Sequence, residues 1–548
     1  MRGRGVGCKP VLVARVARRL RRAGSSATVP AMGALHPVDT NGIHQHRRLE
    51  SWEPATGELL GVVPIASADD VTKAIARAKK AQAAWGVLPV EERCTRLLRF
   101  RDALVERADE IVDVVSRECG KPRADALGHE VMVAVDQLTY YCKNAPRILA
   151  PRELPLHLLK HKKSVLNYHP RGVVGVISPW NFPFVIPMAD VFAALVTGSA
   201  VIVKPSEVTP LSVQKAKEIF DATGLPEDLF GVVHGHGDVG QALIEGGIQK
   251  LIFTGGVETG KRVAAACGAN LVPCVIELGG KAPLIACADC DVERTANAIV
   301  FGGFVNSGQV CISVERVYAH EAIHDQLVDR VRELTEKLRQ GDPMTDAVEV
   351  GAIIFPKQIE IAERHIDDAV KKGARIITGG RRLPGPGQFF EPTVLAACDH
   401  TMTVMKEEIF GPIVPIQKVT SEDEAVRLAN DSHLGLNAYV FTKDREKGKR
   451  LAQRIEAGSV VVNDVLINYG AVEAPFGGMK QSGFGRVHGD DALRDMAEAR
   501  HVFTGRLPEP ASDPTWFPYS SKKYRWQMRL FRAFFGRGGV VRRIRELL

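Results

Sequence analysis

Apolar positions along the chain follow two alternating patterns, one at helical spacing and one of short β-branched runs closed by glycine, proline or serine. Residues 68–85, ADDVTKAIARAKKAQAAW, open on an acidic N-cap region and carry Val71, Ile75, Ala78 and Ala81 at helical spacing, which predicts a helix. The runs VVGVIS (173–178), AVIVKPS (200–206), GVVHG (231–235), KLIFTGG (250–256) and VIELGG (275–280) read as strands, with helical segments between several of them. That alternation predicts a parallel sheet whose strand ends face a ligand site. A second series, RVYAH (316–320), ARIITGG (374–380), AYVFT (438–442) and SVVVND (459–464), implies a second α/β domain. Segment 152–170, RELPLHLLKHKKSVLNYHP, interrupts the first series with an extended stretch of mixed charge. An arm pairing with a neighbouring subunit would have this composition, and so would a surface hairpin.

At 548 residues the chain exceeds one ordinary core and calls for two or three domains. Its composition, 45% apolar and 25% charged with 51 glycines, is that of a soluble, glycine-rich α/β protein. No apolar run reaches the roughly 18 to 20 residues of a membrane span. Ten scattered cysteines form no disulfide framework and point to a reducing compartment. The closest pair, Cys287 and Cys290, lacks a second pair or a nearby histidine to complete a zinc site, so no metal is expected.

Charge is unevenly placed. Residues 1–38 hold eight Lys or Arg and no acid, and residues 514–548 hold nine against Glu546 alone, so each end is +8. The chain total is also +8, which leaves residues 39–513 at −8 and argues against a nucleic-acid binder. The N-terminal MRGRGVGCKPVLVARVARRLRRAGSS has the Arg-rich, acid-free composition of a mitochondrial presequence. The preferred reading is a disordered or over-extended N-terminus on a cytoplasmic protein.

Two motifs mislead. GHGDVG, Gly235 to Gly240, fits the dinucleotide pattern G-x-G-x-x-G, but the acid expected about 20 residues on is absent, so the pyrophosphate is not assigned there. HEAIH, His320 to His324, fits the zinc-protease pattern but straddles a strand end and a helix start, so its histidines would not share a face.

Three separated segments carry complementary chemistry. SPWNFP (178–183) offers the Asn181 amide, IELGGK (276–281) offers Glu277 followed by two glycines, and FVNSGQVC (304–311) delivers Cys311 after a flexible Ser-Gly-Gln turn. A thiol, a carboxylate and an amide are what covalent aldehyde oxidation requires. The thiolate attacks the carbonyl, the amide holds the oxyanion, hydride leaves for a nicotinamide, and water activated by the carboxylate hydrolyses the thioester. Taken singly, each residue has a structural alternative: Asn181 a turn residue, Glu277 a strand-end ion-pair partner, Cys311 a small buried hydrophobe.

Taken in order, SPWNFP, KPSE, FTGG, ELGGK, NSGQVC, EEIFGP and PFGGMKQSGFGR resemble the NAD(P)-dependent aldehyde dehydrogenase superfamily over residues 40–505. The resemblance implies Cys311 as nucleophile, Asn181 with the backbone N–H of Cys311 as oxyanion hole, and Glu277 as general base, favouring hydrolysis over transfer to coenzyme A. It implies that Lys204 and Glu207 hold the adenosine ribose, with NAD favoured and NADP possible, and that Ile177 and Trp180 line the same cleft. Glu408 and Phe410 would bind the nicotinamide ribose and flank its ring. Gly255, Gly256 and Gly260 of FTGGVETG would open a helix toward the pyrophosphate, where Gly256 replaces the usual Ser and removes one phosphate hydrogen bond. GHGDVG becomes a turn near the adenine.

The implied fold is α/β, the aldehyde dehydrogenase fold. A Rossmann-like NAD-binding domain would span 39–151 and 171–279, an α/β catalytic domain 280–487, and a small β oligomerisation element 152–170 and 488–506. The segment 1–38 and a basic amphipathic tail, 507–548, fall outside. Homodimers or homotetramers follow from the resemblance. CISVERVY (311–318) resembles the branch containing succinate-semialdehyde and carotenoid-type dialdehyde dehydrogenases, and no arginine can be placed in the pocket. An apolar medium or long aldehyde is therefore preferred, with succinate semialdehyde the alternative and a non-catalytic NAD-binding protein a distant one. In the tail, Trp526, Leu530 and Phe534 recur every four residues, with Phe531 and Phe535 beside them and Arg525, Arg529 and Arg532 interleaved. This suits a helix at an anionic membrane surface, or one packed on a dimer seam or over the substrate mouth.

Overall fold

The computed structural model describes residues 48–345, 347–508, 510–537 and 541; the basic segment 1–38 and most of the final stretch of the tail lie outside the described residues. Ser67 and Asp70 cap the helix Ala68–Gly86 reciprocally, each side chain accepting from the other's backbone N–H. Val71, Ile75, Ala78 and Trp85 are buried along it, and Ala81 is half-buried, so the helical spacing read from the sequence is the core-facing stripe.

The strands Phe230–Val232, Ala200–Lys204, Val173–Ile177, Lys250–Thr254 and Cys274–Glu277 lie side by side in that order, all parallel. A sixth, Gly483–Phe484, runs antiparallel along Cys274–Glu277. The chain leaves Val173–Ile177 toward one edge and returns to its other side at Lys250–Thr254. A crevice opens at such a reversal, beyond the carboxyl ends of the strands. Ile177, Lys204, Thr254 and Glu277 are the last residues of four of those strands.

The second sheet has seven strands in the order Arg375–Thr378, Thr393–Ala396, Ile413–Val419, Arg316–His320, Pro283–Ala286, Asn437–Phe441 and Ser459–Val462. Only Arg375–Thr378 is antiparallel to its neighbour. Three of these do not stand out in the sequence. Pro283–Ala286 and Thr393–Ala396 have four residues each, and Pro415 reads as a breaker inside Ile413–Val419, although it sits in register opposite Leu395. Residues 278–282 carry the chain from the first sheet into the second.

Segment 152–170 supplies the strands Arg152–Glu153 and Lys162–Pro170. Lys162–Pro170 pairs along its whole length with Ala497–Gly505, forming a three-stranded sheet. Val502 and Phe503 remain 45% and 42% exposed on it. In the tail, Ser520 caps the helix Ser521–Phe535; Leu530 is half-buried, while Trp526, Phe531, Phe534 and Phe535 are exposed. Among the described residues no helix is long and apolar enough to cross a membrane.

Candidate active site

Cys311 follows a turn in left-handed conformation. Asn306, Ser307 and Gly308 have φ of 50°, 55° and 72°. Non-glycine residues there cost about 1–3 kcal/mol each and persist only where their surroundings hold them. Here Ser307 Oγ donates to the Gly351 carbonyl (3.0 Å), Asn306 Nδ2 to the Asn181 carbonyl (3.0 Å) and Gln309 Nε2 to the Asn306 carbonyl (2.8 Å). A Cβ on Gly308 would lie 2.2 Å from the Gly411 carbonyl oxygen. The flexible Ser-Gly-Gln turn expected from the sequence is thus a buried, pinned one, because its polar side chains turn inward. Burial pushes the Cys311 thiol up to about 12, and the nearby Glu408 and Glu277 carboxylates act in the same direction.

Asn181 is buried, and its amide donates to the Gln309 carbonyl (2.9 Å), two residues before the cysteine. Its own carbonyl accepts from Lys121 Nζ (2.8 Å), which pairs with Glu130 at 2.5 Å. The other Glu130 oxygen takes the Phe184 and Val185 N–H groups at the start of the helix Val185–Val196. Glu130 itself lies in a π turn, Leu127–Val131, a distortion common where a side chain must be re-aimed.

Glu277 ends its strand with both carboxylate oxygens buried and without a hydrogen-bond partner among the described residues. Burial holds its carboxyl well above the usual range; Arg486 pulls it down and Asp190 pushes it further up. The strand Gly483–Phe484 sets Gly483 opposite Glu277, at φ 111°, where a Cβ would lie 1.9 Å from the Ile276 carbonyl oxygen. Ser482 secures the same backbone: its carbonyl accepts from Leu278 N–H (3.1 Å) and its hydroxyl donates to the Gly279 carbonyl (2.7 Å). The glycines of ELGGK mark a convergence, since a Cβ on Gly279 would lie 2.3 Å from the Glu408 carboxylate and one on Gly280 2.2 Å from the Cys311 carbonyl oxygen. Gly280 N–H donates to Glu408 (2.9 Å), whose carboxyl burial raises to about 8.

A buried ion pair, Lys281–Glu315 at 2.9 Å, ties these loops together. Glu315 also accepts the Ile409 and Phe410 N–H groups, holding Phe410 at φ 51° with its ring edge-on to Trp180, centroids 5.2 Å apart. A small cavity brings Cys311 and Glu277 together with Asp190, and Ile186, Leu278, Leu436, Phe476 and Val487 supply apolar wall. Asn181 stands behind the Gln309 carbonyl and is not part of that wall.

The remaining predicted residues gather at the carboxyl edge of the six-stranded sheet. Lys204 is buried and pairs with the half-exposed Glu207 at 3.5 Å. Gly240 of GHGDVG packs over Ile177 and Lys204 in the helix Gly237–Glu245. Gly255 N–H is spent on the Glu277 carbonyl (3.0 Å), and a Cβ on Gly260 would meet Leu278 at 2.3 Å. Gly256 caps the helix Val257–Ala269 without a side-chain hydrogen bond, and a Cβ there would meet nothing within 4 Å. An uncapped helix start facing open space, beside a buried lysine and an exposed carboxylate, fits the phosphates and ribose of a dinucleotide.

Residues 43–502 match the aldehyde dehydrogenase family model. The chain belongs to the aldehyde dehydrogenase family. It is 38% identical over 488 residues to a Mycolicibacterium smegmatis protein named "Putative succinate-semialdehyde dehydrogenase [NADP(+)]", covering 88% of this chain and 94% of that one. It is 37% identical to the 4,4'-diapolycopene aldehyde oxidase of Methylomonas sp., covering 90% of this chain and 92% of that one. Among solved structures, the NAD-dependent aldehyde dehydrogenase from Sinorhizobium meliloti aligns at TM-score 0.81 and 34% identity, covering 85% of this chain and 93% of that one. The α/β architecture expected from the sequence is that of the family, and this aldehyde dehydrogenase is an aldehyde-oxidising oxidoreductase that works with NAD(P).

Four charged residues that organise this aldehyde dehydrogenase escape sequence reasoning: Lys121, Glu130, Asp190 and Glu315. Asp190 carried a usable signal, a lone acid inside the apolar run VIPMADVFAALV. Lys121 and Glu130 carried none, because their burial depends on helices packing over the WNFP loop. The two misleading motifs resolve as structure. His320 ends a strand and His324 begins a helix, and GHGDVG runs into the helix Gly237–Glu245. The open space at Gly256 supports an expected gain of function. Gly256→Ser should lower KM for NAD about 3- to 10-fold, the effect of one added hydrogen bond to an anion, with kcat within twofold. Initial rates at varied NAD would check this.

Proposed function

We propose that the protein oxidises an apolar aldehyde of medium or long chain to its carboxylic acid, with NAD preferred, through a thioester on Cys311. The observation that carries this reading is that Cys311 shares one largely apolar cavity with Glu277, a carboxylate that no protein group satisfies. Burial without a partner penalises the charged carboxylate and makes it a strong base for its type. Glu277 takes the thiol proton as the Cys311 sulfur bonds to the aldehyde carbon, and the Cys311 backbone N–H receives the oxyanion, joined by the Asn181 amide once it turns from the Gln309 carbonyl it holds in this structure. The nicotinamide, when bound, supplies a hydride acceptor. Lys204 and Glu207 hold the adenosine end, the start of the helix Val257–Ala269 the phosphates, and Glu408, Phe410 and Trp180 the nicotinamide end. Glu277 then releases its proton, deprotonates the water that attacks the thioester, and returns that proton to the departing sulfur. The Glu207 carboxylate repels a 2′-phosphate, which supports NAD over NADP.

Among the described residues no Lys or Arg lines the cavity that holds Cys311, and Glu277 and Asp190 add acid to it. A substrate carboxylate there would be a buried, unpaired charge costing about 3–5 kcal/mol. Decanal should therefore exceed succinate semialdehyde in kcat/KM by about 100-fold or more, measured as NADH formation by the purified protein. Preference for the semialdehyde would overturn the substrate assignment and leave the thiol mechanism standing.

The exposed Val502 and Phe503 on the strand Ala497–Gly505 support assembly into a cytoplasmic homodimer or homotetramer through this edge. The exposed Trp526, Phe531, Phe534 and Phe535, with Arg525, Arg529 and Arg532, support peripheral contact with anionic membrane. Removing residues 514–548 should then abolish cosedimentation with phosphatidylserine vesicles at low salt; unchanged binding would dismiss that contact.

A further inference from the structure

We propose that Asp190 conveys toward solvent the proton that Glu277 must release between thioester formation and hydrolysis; this rests on Glu277 acting as the base described above. The proton count requires such a step. Forming the thioester moves the thiol proton to Glu277 and the hydride to the cofactor, so one proton remains on a buried carboxyl. The water proton that Glu277 takes next returns to sulfur, so it does not clear the first. One proton per turnover must therefore leave Glu277 before water can be activated.

Asp190 is placed for that transfer. It lies in the helix Val185–Val196, is 4% exposed, and lines two cavities at once. The first is the cavity of Cys311 and Glu277. The second is more polar and includes Gln137, Tyr141, Lys250, His488 and Asp495. Three buried atoms in the second cavity's wall, Gln137 Oε1 and both His488 ring nitrogens, have no protein partner, and neither oxygen of Glu277 has one in the first. Orphaned polar atoms clustered at a cavity are where ordered water is bound, and water there would link Asp190 onward. The exit lies at Lys250, which donates to Asp495 at 2.6 Å, and the Asp495 side chain is 49% exposed.

The route runs from Glu277 Oε to Asp190 Oδ, then through the second cavity to Asp495 at the surface. The titratable groups that line the two cavities with Asp190 are Lys250, whose ammonium favours the carboxylate form, and Glu277, Cys311, Tyr141, Tyr469, His488, Arg486 and Asp495. Burial raises the Asp190 carboxyl to about 8 against the pull of Lys250, so its capacity to accept a proton grows as pH rises through that value. Asp190 acts through Glu277 after hydride transfer, so its removal should leave kcat/KM for the aldehyde, which reports the steps up to that transfer, unchanged.

The test is stopped-flow NADH formation by full-length Asp190→Asn with decanal and NAD. The expected result is a first-turnover burst of about one NADH per active site, then a steady-state kcat lowered about 10-fold or more, with KM for decanal falling in step so that kcat/KM stays within twofold. The limb of the wild-type kcat profile near pH 8 should disappear in this variant and return in Asp190→Glu. A kcat within twofold of wild type from pH 6 to 10 would overturn the proposal, as would a burst that shrinks in step with kcat. Should Asp190→Asn not fold, Gln137→Met, which removes a polar wall from the second cavity, must show the same retained burst and slowed turnover, and unchanged turnover refutes the relay. Failure of the underlying thiol reading would appear separately, as NADH formation surviving in Cys311→Ala.

Discussion

Cys311→Ala is expected to lower NADH formation by about 10⁴-fold or more, because among the described residues no other thiol faces the cavity that holds Glu277. The variant should retain its fold: Cys311 is half-buried at the cavity surface, and its position is set by backbone contacts and by Gln309, not by the sulfur. Protection of the variant by NAD against thermal unfolding, equal to that of wild type, separates loss of the nucleophile from loss of cofactor binding. The same thiol makes a second expectation measurable. Because burial pushes it far above the usual thiol range, it is overwhelmingly protonated at pH 8. Iodoacetamide should therefore label Cys311 slowly, with a rate rising close to tenfold per pH unit between pH 7 and 10. A pH-independent rate would mean that an adjacent group already holds the proton.

Glu277→Gln should lower kcat by about 10² to 10⁴, the range of a removed general base. The amide fills the same space, and neither oxygen of Glu277 has a protein partner to lose, so stability should change little. A burst smaller than one NADH per site with no steady state would assign Glu277 to thiol activation. A full burst followed by arrest would assign it to hydrolysis, and acyl-enzyme recovered by mass spectrometry on the Cys311 peptide would show the arrested species. Unchanged kcat would remove Glu277 from the mechanism.

Much of this site was legible in the chain because its parts are local. Strand runs closed by glycine announce the carboxyl edge of a parallel sheet, and Ile177, Lys204, Thr254 and Glu277 end four such strands. The glycines of ELGGK were visible as sites of close approach, although not what approaches them: Glu408 over Gly279 and the Cys311 carbonyl over Gly280. The turn before Cys311 was legible as a turn but not as a pinned one. Its rigidity comes from Gly351, Ile354 and Asn181, which lie tens to more than a hundred residues away.

Pattern and motif order along the chain were enough for the α/β class and the family, and for nominating Cys311, Glu277 and Asn181 as candidates, because helix period, strand run and motif spacing are properties of neighbours in sequence. The two charge pairs that brace the loops, Lys121–Glu130 and Lys281–Glu315, and the double exposure of Asp190 to two cavities, came only from the folded chain. Burial of a charge, and the partner that makes it tolerable, are set by which distant elements close over it, and a linear sequence carries no measure of that enclosure.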